Sequence, residues 1–218
     1  MKPRVLLLYY SLTHQTRRVA QSMAESFRER GCETDECAIE FVDEYYRIEF
    51  PLKPFLPKLL WWFWPQLCGR TGAVRVPPEI LDREYDLVCI GSPTWWLKPA
   101  MPVASFLKSE TAKKLLDGKR FAVFTVCRAI WWNNLRIVKK LATRQGATFV
   151  DGAAFCFRGN QLQTGLSFLN YMQTQTNRER YCGIKIYEFG IPQEGLEKAK
   201  TFAGRLATNV LAPHESPQ

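Results

Sequence analysis

Ser11, Thr13 and Thr16 stand directly behind the apolar run Val5–Tyr10 (VLLLYY) and directly ahead of apolar positions recurring at Val19, Ala20, Met23, Ala24 and Phe27. An apolar run without alternation is the pattern of a strand covered on both faces, and the recurrence that follows has helical spacing. The hydroxyls therefore belong to a strand-to-helix turn. The first N–H groups of a helix have no intrahelical acceptor and lie at the positive end of its dipole, so a phosphate is the natural guest of such a turn. The same residue types also act as plain helix caps, and the turn alone leaves both readings open.

Two further clusters follow apolar runs. Tyr85–Gly91 (YDLVCIG) leads into Ser92, Pro93, Thr94, Trp95, Trp96 and Leu97, and Arg120–Cys127 (RFAVFTVC) leads into Arg128 and Trp131. Adjacent indoles offer flat faces to an aromatic ligand, with one of Trp95 and Trp96 expected to turn into the core. Arg128 supplies a cation, either for a bound anion or for solvent. Cys127 reads as a packing residue with nothing near it in sequence to activate a thiolate.

The elements that must position these clusters alternate. Cys32–Ile39 is a polar-alternating strand suited to a sheet edge, Thr148–Phe157 is a last core strand, and helices are expected around Val103–Leu107, over 135–146 and over 195–210. Five strands with helical crossovers imply an α/β chain whose parallel sheet is covered on both sides. Ligands of such sheets bind beyond the carboxyl ends of the strands, where all three clusters fall. We expect a single domain over 1–211 with apolar insertions at about 50–76 and 161–181, and a fraying tail over 212–218.

Composition narrows the function. The chain has 218 residues, 46% of them hydrophobic, and a formal net charge of +9. Its basic residues are scattered and no nucleic-acid motif accompanies them, so nucleic acid is not an expected partner. Seven cysteines without a CxxC pair, several inside apolar runs, suit a reducing, cytoplasmic setting. No apolar run is long enough to cross a bilayer. The first insertion holds WWFW ahead of Pro65; at least half of its apolar side chains are expected in a buried sub-core, and the rest in a lid over an apolar substrate, a homodimer interface, or a peripheral membrane contact through 55–65.

The chain resembles the flavodoxin-like FMN-binding superfamily. SLTHQT (11–16) is similar to its phosphate loop, with His14 and Gln15 where Gly and Asn are usual, and YDLVCIGSPTWWLKPAMPVASF (85–106) to its second flavin loop. The resemblance implies a doubly wound five-stranded parallel sheet in the order 2-1-3-4-5. It also implies FMN held by Ser11, Thr13, His14, Gln15, Thr16, Pro93, Thr94, Trp95, Trp96, Leu97, Cys127, Arg128 and Trp131, with Trp132, Asn133 and Asn134 joining Trp131 as a roof, the alternative being that Trp131 and Trp132 simply start the next helix. His14 would either make the loop bend differently or weaken its hold on phosphate. The expected activity is electron transfer from NADH or NADPH to a hydrophobic cyclic substrate such as a quinone, an enone or a cyclic dione. A flavodoxin-type electron carrier and a flavin-free binding module are the alternatives. SPTWWL followed by Cys127, Arg128, Trp131 and Asn133 is also similar to flavodoxin-family proteins named dialkylresorcinol-condensing enzymes.

Overall fold

The computed structural model describes residues 2–46 and 54–210. The expected tail over 212–218 and the first positions of the insertion at 50–76 lie outside them. The chain opens with β1 (Arg4–Tyr9), α1 (Gln15–Glu29), β2 (Glu33–Ala38), β3 (Glu40–Phe41), α2 (Phe55–Leu67) and β4 (Val74–Arg75). It continues with β5 (Leu87–Trp95), β6 (Lys98–Pro99), α3 (Met101–Phe106), α4 (Glu110–Leu116), β7 (Arg120–Cys127) and α5 (Trp132–Arg144). β8 (Thr148–Cys156), α6 (Gln161–Thr174), β9 (Arg180–Tyr181), β10 (Ile184–Lys185) and α7 (Gln193–Val210) complete the described chain.

The five long strands pair in parallel in the order β2-β1-β5-β7-β8. Counted along the chain this is the expected 2-1-3-4-5. Successive residues of each strand face opposite layers. Leu6, Leu8, Val88, Ile90 and Val123 pack with Val103, Phe106 and Val138 of α3 and α5. Val5, Leu7, Leu87, Cys89 and Phe124 pack on the other face with Val19, Met23 and Phe27 of α1 and Ala199 and Phe202 of α7. Full burial of each large apolar side chain contributes roughly 1.5–3 kcal/mol, which is why the central strands carry no polar alternation. β2 lies at the sheet edge and does alternate.

One strand departs from the sequence reading, and the two insertions take forms that it left open. β5 does not end at Gly91 but runs four residues further to Trp95, because Ser92 and Pro93 still pair with Thr125 and Val126 of β7. α2 continues through Pro65 to Leu67; a proline so near the end of a helix forfeits little of its hydrogen bonding. The second insertion, 161–181, is largely one helix, α6, started by a capping box in which Asn160 and Gln163 satisfy each other's backbone N–H groups.

Gly91 sits where β1, β5 and β7 meet, and a Cβ there would lie 2.3 Å from Phe124 Cζ and 2.7 Å from Tyr9 Cβ. Gly91→Ala should lower stability by about 1–3 kcal/mol. Urea denaturation measures this, and an unchanged midpoint would contradict the packing of the sheet centre.

Candidate functional site

Beyond the carboxyl ends of β1, β5 and β7 lies a cavity of about 250 Å³. One wall is the turn after β1, through Leu12, Thr13 and Gln15, and a second is Pro93, Thr94, Trp95 and Trp96 at the end of β5. Val126, Cys127 and Arg128 close the side below β7, and Phe168, Leu169 and Met172 of α6 cover it, joined by Phe157 and Phe189. Thr13 and Trp95, from separate clusters, thus face one space.

The turn after β1 is held by an unusual backbone. His14 precedes α1 in the left-handed conformation, φ 60 and ψ −1. The histidine takes a conformation that glycine adopts freely, at a cost of roughly 1 kcal/mol. Ser11 Oγ accepts from Arg17 N–H at 3.1 Å, which leaves its own hydrogen free to donate. Among the described residues the N–H groups of Leu12, Thr13, His14, Gln15 and Thr16 have no acceptor. Gln15 is occupied otherwise: its Oε1 accepts from Ile191 N–H at 3.0 Å and from Arg18 Nη1 at 3.1 Å, tying the turn to the approach of α7. Thr16 is buried at the start of α1.

The second wall is a tight antiparallel hairpin, not an open loop. Thr94 pairs with Pro99 and Trp95 with Lys98, and the turn residues Trp96 and Leu97 both have positive φ, 48 and 67. A two-residue hairpin turn needs such angles and normally uses Asn or Gly for them. Bulky residues there store strain that surrounding contacts must offset. Asn134, fully buried, donates from Nδ2 to Ser92 O at 3.2 Å and to Thr94 Oγ1 at 2.8 Å. Asn133 Nδ2 reaches Leu97 O at 3.0 Å, Gln66 Nε2 of α2 reaches Pro99 O at 2.8 Å, and Lys98 Nζ reaches Leu67 O at 2.7 Å. Trp95 is half-buried edge-on to Tyr10, with ring centroids 5.6 Å apart, and Trp96 is exposed and edge-on to Phe63 of α2 at 4.4 Å. One indole packs on the core, as expected, yet both also face the cavity.

The expected roof is corrected. Asn134 lies beneath the hairpin, because its amide is taken up by the backbone of β5, and Trp131 and Trp132 open α5 with their rings exposed. Neither Trp131 nor Leu97 lines the cavity; Ser11, His14 and Thr16 sit in the turn beside it. α6 provides the cover instead, and Gly165 makes room for Arg128, whose Nη1 would lie 2.9 Å from a Cβ there. The Arg128 guanidinium leans over Phe168, 6.0 Å from the ring centroid, and partial desolvation lowers its pKa. Among the described residues no carboxylate pairs with it. Cys127 is buried, as a packing residue should be, and Cys156 Sγ lies 3.4 Å from its own.

No family model matches the chain, and no curated protein does. Solved structures match at the level of fold. A flavoprotein in complex with FMN from Lactobacillus acidophilus NCFM aligns at TM-score 0.54 and 18% identity, over 70% of this chain and 93% of that one. A flavodoxin from the domain Archaea aligns at TM-score 0.54 and 11% identity, over 95% and 99%. Oxidised Flavodoxin 1 from Bacillus cereus aligns at 0.51 and 15%, over 94% and 98%. The fold is flavodoxin-like. Within it, the hydroxyl turn and the tryptophan hairpin stand at the carboxyl end of the sheet, on either side of the point where strand order reverses between β1 and β5.

If left-handed strain at His14 is the cost of this flavodoxin-like turn, His14→Gly should raise stability by up to about 1 kcal/mol. Urea denaturation of the two proteins checks it; a less stable glycine variant would show that the imidazole itself holds the turn.

Proposed function

We propose that the chain is an FMN-binding oxidoreductase that draws on NADH or NADPH and serves a hydrophobic cyclic substrate such as a quinone, an enone or a cyclic dione. The observation that carries this reading is the turn over residues 12–16, whose N–H groups have no acceptor among the described residues and whose Leu12, Thr13 and Gln15 line the same cavity as Trp95, Trp96 and Arg128. A phosphate fits the turn, where N–H donors converge at the positive end of α1. A planar ring system fits between the hairpin and the residues of α6.

When bound, FMN supplies one- and two-electron transfer. The residues of the chain bind and orient it. Thr13 and the N–H groups of 12–16 would hold the phosphate, and the Pro93–Trp96 backbone would follow the polar edge of the ring. Arg128, a cation without a carboxylate partner among the described residues, favours negative charge on the ligand beside it. Phe168, Leu169 and Met172 exclude water from the ring face.

The apolar substrate is supported by the surface around the hairpin. Trp96 and Leu97 at its tip, Leu60, Trp61 and Trp64 on α2, and Ile130, Trp131 and Trp132 at the entry to α5 are all exposed. Contiguous apolar surface of this kind marks a place of contact. A ring-bearing substrate would approach over it, and the resemblance to dialkylresorcinol-condensing enzymes makes a cyclic dione the most specific candidate. The same rim also suits a redox protein partner, which would make the chain an electron carrier.

Purified chain supplied with FMN should retain it, bleach with NADPH under anaerobic conditions and regain colour with a quinone. Bleaching only by a reductase protein would favour the carrier reading, and failure to bind FMN would remove both. Replacing Thr13 and Thr16 together by Ala should weaken FMN by on the order of 100-fold or more, since each lost hydrogen bond to a charged group costs about 1.5–3 kcal/mol. Unchanged affinity in a flavin-fluorescence titration would count against the assigned turn.

A further inference from the structure

Cys127 and Cys156 end adjacent parallel strands, β7 and β8, as register partners. Neighbouring strands run about 4.7–4.9 Å apart, inside the roughly 4.4–6.8 Å between Cα atoms that a disulfide spans. Their sulfurs are already in contact, 3.4 Å apart. The two thiols are unequal in access: Cys127 is 4% exposed and lines the cavity, whereas Cys156 is exposed at the sheet edge. They are unequal in charge as well. Donation from the Cys127 thiol, helped by the positive charge of Lys198, brings the Cys156 pKa down to about 7. Holding the proton it donates to Cys156, and losing solvent, push the Cys127 thiol far up.

No other cysteine in the described chain combines these features. Cys32, Cys37 and Cys89 are buried and their thiols are raised by desolvation. Cys68 and Cys182 are exposed, but among the described residues neither contacts a second sulfur.

We propose that Cys127 and Cys156 form a reversible thiol–disulfide centre in the cavity wall, with Cys156 the attacking thiol, Cys127 the resolving thiol and a hydroperoxide the oxidant. The Cys156 thiolate attacks a peroxide oxygen; the O–O bond breaks, an S–O bond forms, and hydroxide leaves and is protonated to water. The sulfur of Cys127 then attacks the sulfenic sulfur of Cys156. An S–S bond forms, the S–O bond breaks, and the oxygen leaves as a second water, carrying the Cys127 proton. Two thiols thus lose two electrons and two protons, and hydrogen peroxide becomes two waters. A small-molecule dithiol reverses the change by exchange.

This centre stands independently of the flavin reading, and its test uses the chain without FMN. Brief treatment with hydrogen peroxide, alkylation of remaining thiols and peptide mapping should show a Cys127–Cys156 cross-link. Two of the seven thiols should be lost to alkylation and recovered after dithiothreitol. In Cys127→Ser, which keeps a donor beside Cys156 but cannot bridge to it, the reaction should stop as a sulfenic acid on Cys156, trapped by dimedone, and in Cys156→Ala the thiol of Cys127 should stay reduced at the same dose. The wild-type map stands alone should either variant misfold. The proposal is overturned if both cysteines stay alkylatable while others oxidise, or if Cys156 bridges to a cysteine other than Cys127.

Discussion

Backbone donors without acceptors are expensive to leave at the end of a buried strand, and the turn after β1 leaves several. His14, in the left-handed region, directs the chain from β1 into α1 so that the N–H groups of residues 12–16 meet no acceptor among the described residues. Buried polar groups are ordinarily paired, and a set that is unpaired at a helix mouth stays tolerable only where solvent or an anion reaches it. The surroundings then secure the turn itself. Ser11 Oγ accepts the N–H of Arg17, and Gln15 is spent on Ile191 and Arg18. Gln15, where the resembled motif has asparagine, is a structural tie to the segment before α7.

The opposite wall obeys a similar economy of strain. A hairpin turn built from Trp96 and Leu97 would be unfavourable alone, since neither side chain suits positive φ. Hydrogen bonds from Asn133 and Asn134 on α5 and from Gln66 on α2 hold its backbone, and Phe63 packs on the Trp96 ring. The first insertion therefore does more than expose tryptophans: α2 braces the wall of the cavity. The second insertion has the complementary place, with α6 laid over the open side.

Much of the frame was legible from residue order because parallel strands buried on both faces must be apolar throughout. Val5–Leu8, Leu87–Ile90 and Phe121–Val126 announce themselves that way. The edge strand Glu33–Ala38 was equally readable from its alternation. The turn at 11–16 was legible as well, since hydroxyls between an apolar run and a helical repeat have few uses. Three features were not. The hairpin was hidden because Trp96 and Leu97 lack the glycine or asparagine that signals such a turn. The continuation of α2 to Leu67 is not readable, since proline ordinarily interrupts a helix, although near a terminus it breaks little. The Cys127–Cys156 contact was invisible because it depends on strand register, set by packing across the sheet and by the bulge between Phe121 and Ala122.

The central claim is that the turn after β1 binds a phosphate while the hairpin and α6 hold a flat ring, and comparing FMN with riboflavin separates the two contributions. Calorimetric titration of the purified chain should show FMN binding at least about 100-fold more tightly than riboflavin, the share expected of several hydrogen bonds to a charged group. Equal affinity for the two flavins, or binding of neither, would contradict the account.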